Sequence, residues 1–203
     1  MNEEECGEAA RRALKKSRMR NIAKTLEEKI HMKVEVVVDT DEAAKVFGEE
    51  PQKKLPVIPR QCIDDGVEGL ARAMFSIPPS ITLCSNRLYK QDDVEESLIH
   101  EMIHAYDYLV EKKDLTDCEE LACSEIRSNR EGECRGNWIF ERFRRRCTRL
   151  NAINATKSIF PERASECVLK MFEKCLRYHN TAVPLHLYLL LRNSHQQILL
   201  LMK

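Results

Sequence analysis

Between Asp92 and Lys113 the sequence leaves few folds open. Leu98, Ile99, Met102, Ile103, Ala105, Tyr106, Leu109 and Val110 share one broad arc of a helix. An arc that wide belongs to a helix largely covered by other elements. Asp92 with Glu95 fits a capping box at its start. Inside this helix stands His100-Glu101-Met102-Ile103-His104, an H-E-x-x-H run. Four residues apart, the two imidazoles leave the same face one turn apart, a spacing that lets both nitrogens bind one zinc ion. Glu101 projects beside them, where it can take a proton from a zinc-bound water whose pKa the metal lowers to about 7. Chance alone puts H-E-x-x-H in roughly one chain in a hundred of this length. A chance match has no reason to sit centrally in a buried helix whose apolar arc excludes the histidine stripe. The metal reading therefore outweighs a pair of structural histidines.

Catalytic zinc usually takes a third protein ligand and keeps a position for water. Two carboxylates compete for that role. Asp107 lies three residues after His104 on the same stripe, and Glu125 lies twenty-one residues after it on the next predicted helix. A glutamate from a separate helix, as in thermolysin-like sites, approaches the metal from a second direction, which tetrahedral geometry needs. Asp107 would have to reach back along its own helix, and fits better as a carboxylate supporting an imidazole. Asn129, one turn beyond Glu125, faces the same way and is a second candidate support. The strand Ile81-Thr82-Leu83-Cys84 just precedes the active helix. An edge strand there can hold an extended peptide by strand addition. The implied reaction is metal-assisted amide hydrolysis, with Glu101 activating water and returning its proton to the leaving amine.

The rest of the chain reads as one helix-rich α+β domain. Residues 8–30 carry a helical pattern, 32–38 alternate as a strand, and 41–60 read as a proline-rich loop with a short helix near Glu42–Phe47. Residues 70–75, a turn at 76–80 and the strand at 81–84 suggest a hairpin. Thr116 with Glu119, or Asp117 with Glu120, caps a second helix to about Arg130. A very basic helix follows from Trp138 to about Arg149, and a last amphipathic helix spans 161–178. Trp138 and Phe140 read as core. The run Arg142, Arg144, Arg145, Arg146 and Arg149 reads as a solvated face, with acidic lipid or a partner as the alternative. His179, His186 and His195 show no ligand spacing.

Lys plus Arg and Asp plus Glu each total 33, so net charge is zero, which weighs against broad adhesion to nucleic acid. No run is apolar and long enough to cross a bilayer, and the acidic start Met1-Asn2-Glu3-Glu4-Glu5 resembles neither a secretory signal nor a mitochondrial presequence. Nine cysteines, an odd number, sit against that absence. No C-x-x-C pair points to structural zinc. In an oxidising compartment they form a disulfide framework, and in the cytosol or nucleus they are reduced core residues.

Several blocks occur in order: Ile81 to Asn86, His100 to His104 followed by Ala105-Tyr106-Asp107, Leu121-Ala122-Cys123-Ser124-Glu125-Ile126-Arg127, and Gly132-Glu133-Cys134. Together they closely resemble the mitochondrial inner-membrane-associated metalloprotease family that processes an ATP synthase subunit precursor and helps assemble the membrane sector. Vertebrate members are also called Ku-binding protein. The resemblance covers roughly residues 60–180. It implies a zincin-like domain over residues 1–180 with a divergent Leu-rich tail at 181–203. It also implies catalytic Glu101, ligands His100 and His104, and one Zn²⁺ per chain. Its implied setting is peripheral, on the intermembrane-space side of the inner membrane, after import by the oxidative folding machinery. Its implied partners are the precursor and assembly intermediates, with no nucleic acid. Cys62, Cys84, Cys123, Cys134, Cys147 and Cys175 match the family's cysteines, which leaves Cys118 or Cys167 as the expected odd thiol. Two other functions stay open: a protease-independent assembly chaperone, and a nuclear DNA-repair adaptor.

Overall fold

A stretch of small residues begins the architecture. In the computed structural model, which describes residues 1–38, 52–65, 69–135 and 141–177, helix α1 (Glu3–Leu14) buries Cys6, Gly7, Ala9, Ala10 and Ala13. This thin face brings the helix against the sheet: a Cβ on Gly7 would meet Val38 Cγ2 at 2.8 Å. Helix α2 (Ser17–Ile30) follows after a break at Lys15–Lys16, where Lys16 is extended. The helical pattern at 8–30 is thus two helices, broken without glycine or proline. His31 ends α2 in a left-handed conformation.

Four strands follow: β1 (Lys33–Val36), β2 (Lys54–Arg60), β3 (Ala73–Ser76) and β4 (Ser80–Cys84). Among the described residues the sheet order is β1-β2-β4-β3. β1, β2 and β4 run parallel, and β3 pairs antiparallel with β4 as the expected hairpin. β2 was hidden in the sequence by Pro56 and Pro59. β1 pairs with Lys54–Val57 and β4 with Val57–Arg60. The carbonyl of Val57 accepts from Val37 N–H on the β1 side, so backbone alternation turns Pro56 toward β4 and Pro59 toward β1. Each proline therefore lies outside the paired run on the side it faces, and no ladder donor is lost. The expected helix at 42–47 lies outside the described residues, as do Trp138, Phe140, His179, His186, His195 and the tail at 181–203.

Helix α3 (Gln91–Leu109) crosses the molecule between the sheet layer and helix α4 (Cys118–Glu131). The capping box expected at Asp92 and Glu95 does not form. Asp93 accepts instead from the N–H groups of Tyr89 and Lys90, at 3.1 and 3.2 Å. Asp117 caps α4, accepting from Glu119 and Glu120 N–H at 2.9 and 3.0 Å. Helices α5 (Glu141–Thr156) and α6 (Ala164–Arg177) pack on α4. One apolar core joins α1, α2, the sheet and α3. A second, smaller one joins α4, α5 and α6.

All nine cysteines are placed. Cys62–Cys84 ties the loop after β2 to the end of β4, while Cys118–Cys167, Cys123–Cys175 and Cys134–Cys147 bind α4 and its end to α6 and α5. The free thiol is Cys6, buried in α1. The expectation for Cys118 or Cys167 is corrected: these two pair with each other, because they face across the α4–α6 contact.

Candidate active site

Helical periodicity puts His100 and His104 on the side of α3 that meets α4, with ring centroids 4.9 Å apart. Across the gap α4 presents Glu125. Its Oε2 lies 3.3 Å from His100 Nε2, and its Oε1 lies 3.4 Å from His104 Nε2. The three donor atoms sit within 4.8 Å of one another, and all three residues are buried. Two donors bound to one tetrahedral zinc at the usual lengths stand about 3.4 Å apart. The spacing and the two-nitrogen, one-oxygen donor set both fit that ion. His100, His104 and Glu125 are the residues that could hold a metal ion here.

The far ring nitrogens are already engaged. His100 Nδ1 is 3.0 Å from Glu133 Oε2, and His104 Nδ1 is 2.8 Å from the buried Ser124 Oγ. Both Nε2 atoms are thereby aimed at Glu125. Asn129 does support this cluster, but through the carboxylate and not through a histidine. Its amide donates to the Glu125 carbonyl at 2.9 Å and to Oε2 at 3.3 Å.

Asp107 is elsewhere, and its expected place on an imidazole is corrected. It is fully buried and ion-paired with Arg127 of α4, with Lys113 at 3.8 Å. The reason is spatial: a carboxylate three residues past His104 meets the arginine two residues past Glu125 along the same seam. Ile81, Thr82, Leu83 and Cys84 need a second correction. They form β4, which is buried and has β2 on one side and β3 on the other. An already paired strand cannot take a peptide. Among the described residues β3 ends the sheet, and Phe75 packs on Tyr108 of α3 with ring centroids 5.9 Å apart.

In the site, burial and the mutual pull of the imidazoles and carboxylates oppose each other. Burial alone would lower the His100 pKa, but Glu133 and then Glu125 outweigh it and hold the imidazole well above its ordinary value. Burial pushes the Glu125 carboxyl up, yet the two imidazoles win and keep it well below the usual range. Glu133 is likewise held low, its burial overcome by His100. Glu101 is the exception. It is buried, and desolvation raises its pKa against the pull of His100 and His104. A carboxylate with raised basicity suits a proton acceptor.

Sequence reasoning missed Glu133 and Ser124. Both lie within blocks the resemblance uses, yet nothing local marks them as partners of the histidines. Gly132 was a partial signal. A Cβ there would sit 2.9 Å from the Glu96 carbonyl and 3.6 Å from His100 Cβ, so glycine lets the end of α4 close on α3. In the basic run, Arg144 pairs with Glu141 and Arg145 with Glu173, while Arg142, Arg146 and Arg149 are exposed.

A small mixed sheet, a buried helix carrying the histidine pair and a carboxylate from the following helix make a helix-rich α+β domain of the peptidase class with a candidate metal site. Residues 4–181 match the Peptidase M76 family, a family of metallopeptidases. The chain belongs to that family. "Mitochondrial inner membrane protease ATP23" of Coccidioides immitis is 35% identical over 111 residues, 48% of this chain and 47% of that protein. The same-named protein of Neosartorya fischeri is 40% identical over 88 residues, 38% of this chain and 37% of the relative. "Mitochondrial inner membrane protease ATP23 homolog" of Danio rerio is 29% identical over 181 residues, covering 82% and 71%. The chain thus spans less than half the length of the two fungal relatives. No solved structure matches it.

Proposed function

We propose that this chain is a zinc metalloendopeptidase of the mitochondrial inner membrane that processes an ATP synthase subunit precursor and assists assembly of the membrane sector. The observation that carries the catalytic part is the convergence of His100, His104 and Glu125 beside the buried Glu101. Bound zinc supplies Lewis acidity toward water and the scissile carbonyl. Glu101 takes the proton from the attacking water and delivers it to the leaving amine. His100, His104 and Glu125 hold the ion. The outer edge of β3 orients an extended substrate by backbone pairing.

Placement on the intermembrane-space side rests on two supports. The relatives carry inner-membrane names, and four disulfides need an oxidising compartment. Among the described residues no helix is long and apolar enough to cross a membrane, and peripheral association is part of this proposal. Import by the oxidative folding machinery and contact with assembly intermediates follow from that setting.

Glu101→Gln tests the assignment. The expected result is intact zinc content with loss of precursor cleavage in mitochondria. If the variant cleaves normally, the assignment of Glu101 fails. If cleavage stops while ATP synthase still assembles, assembly is a separate function of the scaffold.

A further inference from the structure

The two histidines at the centre are oriented by unlike groups. His104 rests on a neutral hydroxyl, Ser124, whereas His100 rests on a carboxylate, Glu133. Glu133 is not on the face of a regular helix. It follows the last turn of α4, and three constraints set its position. Gly132 admits the close approach to Glu96 and His100. Arg72, the residue entering β3, places its guanidinium 3.5 Å from Glu133 Oε1 while Oε2 faces His100. Cys134, fully buried, is crosslinked to Cys147 on α5. The segment is further closed by Cys134 N–H donating to the Asn129 carbonyl at 2.9 Å.

We infer that Glu133 is a positioning residue for His100, and that the Cys134–Cys147 disulfide sets the chain's zinc affinity by fixing Glu133. The inference rests on the metal reading of the site. A carboxylate on Nδ1 fixes the ring's tautomer and orientation and makes Nε2 a stronger donor. A crosslink one residue away ties that carboxylate to the body of α5 and limits its drift. Arg72 joins the same carboxylate to the start of β3, so the substrate-side strand and the ligand histidine share one anchor.

The test uses the full chain and competition of zinc against a chromophoric chelator. Glu133→Ala is expected to weaken zinc binding about 10- to 100-fold. Glu133→Gln, whose amide oxygen still accepts from Nδ1–H, is expected to recover most of that loss, which a merely structural role would not give. Cys134→Ser with Cys147→Ser is expected to weaken binding as well, and adding Glu133→Ala should then cost little more, since both act through one contact. Cys62→Ser with Cys84→Ser serves as the control and should leave zinc affinity near wild type. A Glu133→Ala protein that binds zinc as tightly as wild type overturns the inference. Wild-type affinity in the Cys134/Cys147 variant overturns its disulfide part. Should Glu133→Ala not fold, imidazole nitrogen spectra of the wild type decide: a protonated, hydrogen-bonded His100 Nδ1 supports the assignment and a bare Nδ1 sinks it. A wild type that takes up no zinc defeats the metal reading, and the same spectra of the metal-free chain still report on Glu133.

Discussion

In the sheet-side half, α1 to α3 and four strands bury Leu26, Leu55, Ile81, Leu83, Leu98 and Met102 in one core, and the cysteine within it, Cys6, is a free thiol. In the helical half, the buried set of α4, α5 and α6 among the described residues has ten members, of which four are half-cystines. The first half relies on apolar burial, at about 1.5 to 3 kcal/mol for each large side chain. Among the described residues the second buries less apolar surface and adds crosslinks, as small secreted domains do. The candidate site lies where the halves meet. α3 contributes His100, Glu101 and His104, and α4 contributes Glu125 and Ser124. Chemistry at the seam therefore depends on both modes of stabilisation.

The sharpest division of labour is between Glu101 from one half and Glu125 from the other. Glu101→Gln should lower peptide hydrolysis by about 10²- to 10⁴-fold with zinc retained. Glu125→Ala should lose the zinc itself, read by metal analysis of the purified chain. Were Glu125→Ala to keep full zinc while Asp107→Ala lost it in a folded protein, Asp107 and not Glu125 would be the third ligand.

Next in size is the buried ion pair that crosses the same seam, Asp107 with Arg127. Removing one partner strands a charge away from water, so Arg127→Ala should cost about 3 to 5 kcal/mol in urea denaturation. Replacing both partners with apolar residues of similar volume should recover much of it. A loss below 1 kcal/mol for Arg127→Ala would mean that the halves are not coupled through this pair.

These residues also show what the sequence could disclose. The α3 helix and its H-E-x-x-H run were legible because periodicity and spacing are local. The start of α4 was legible for the same reason, since Asp117 satisfies amides two and three residues on. β2 was not, because Pro56 and Pro59 argue against a strand unless the register is known. The role of Asp107 was not, because its partner Arg127 is twenty residues away and only the packing of α3 on α4 brings them together. Nor was the pairing of nine cysteines, since several sit at comparable separations and connectivity is a property of the fold.

The crosslinks offer a direct measure of the contrast. Cys123–Cys175 closes a separation of 52 residues, and Cys62–Cys84 closes 22. Loop entropy alone assigns them about 4 and about 3.4 kcal/mol. The measured gap should exceed that difference, because among the described residues the helical half has the smaller core to fall back on. Serine pairs at each site, compared by urea denaturation and hydrogen exchange, should show α4–α6 opening first. A costlier loss at Cys62–Cys84 would reverse the assignment of which half needs its disulfides.

The smallest effect concerns how each half starts a helix. Asn2 caps α1, accepting from Glu5 N–H at 2.8 Å, while Glu5 Oε2 accepts from Asn2 N–H at 2.9 Å. Asp117 caps α4 with two accepted bonds and a full negative charge at the helix's positive end. Either alanine substitution should cost about 0.5 to 2 kcal/mol. The consequences should differ in kind. α1 carries none of the candidate site's residues, so Asn2→Ala should leave zinc affinity unchanged. α4 carries Ser124 and Glu125, and its first residue, Cys118, is one half of a crosslink. Asp117→Ala should therefore lower zinc affinity slightly, by less than about threefold, because the disulfides hold the frayed turn in place. An equal loss of zinc affinity in both variants would show that stability reaches the site from either half alike.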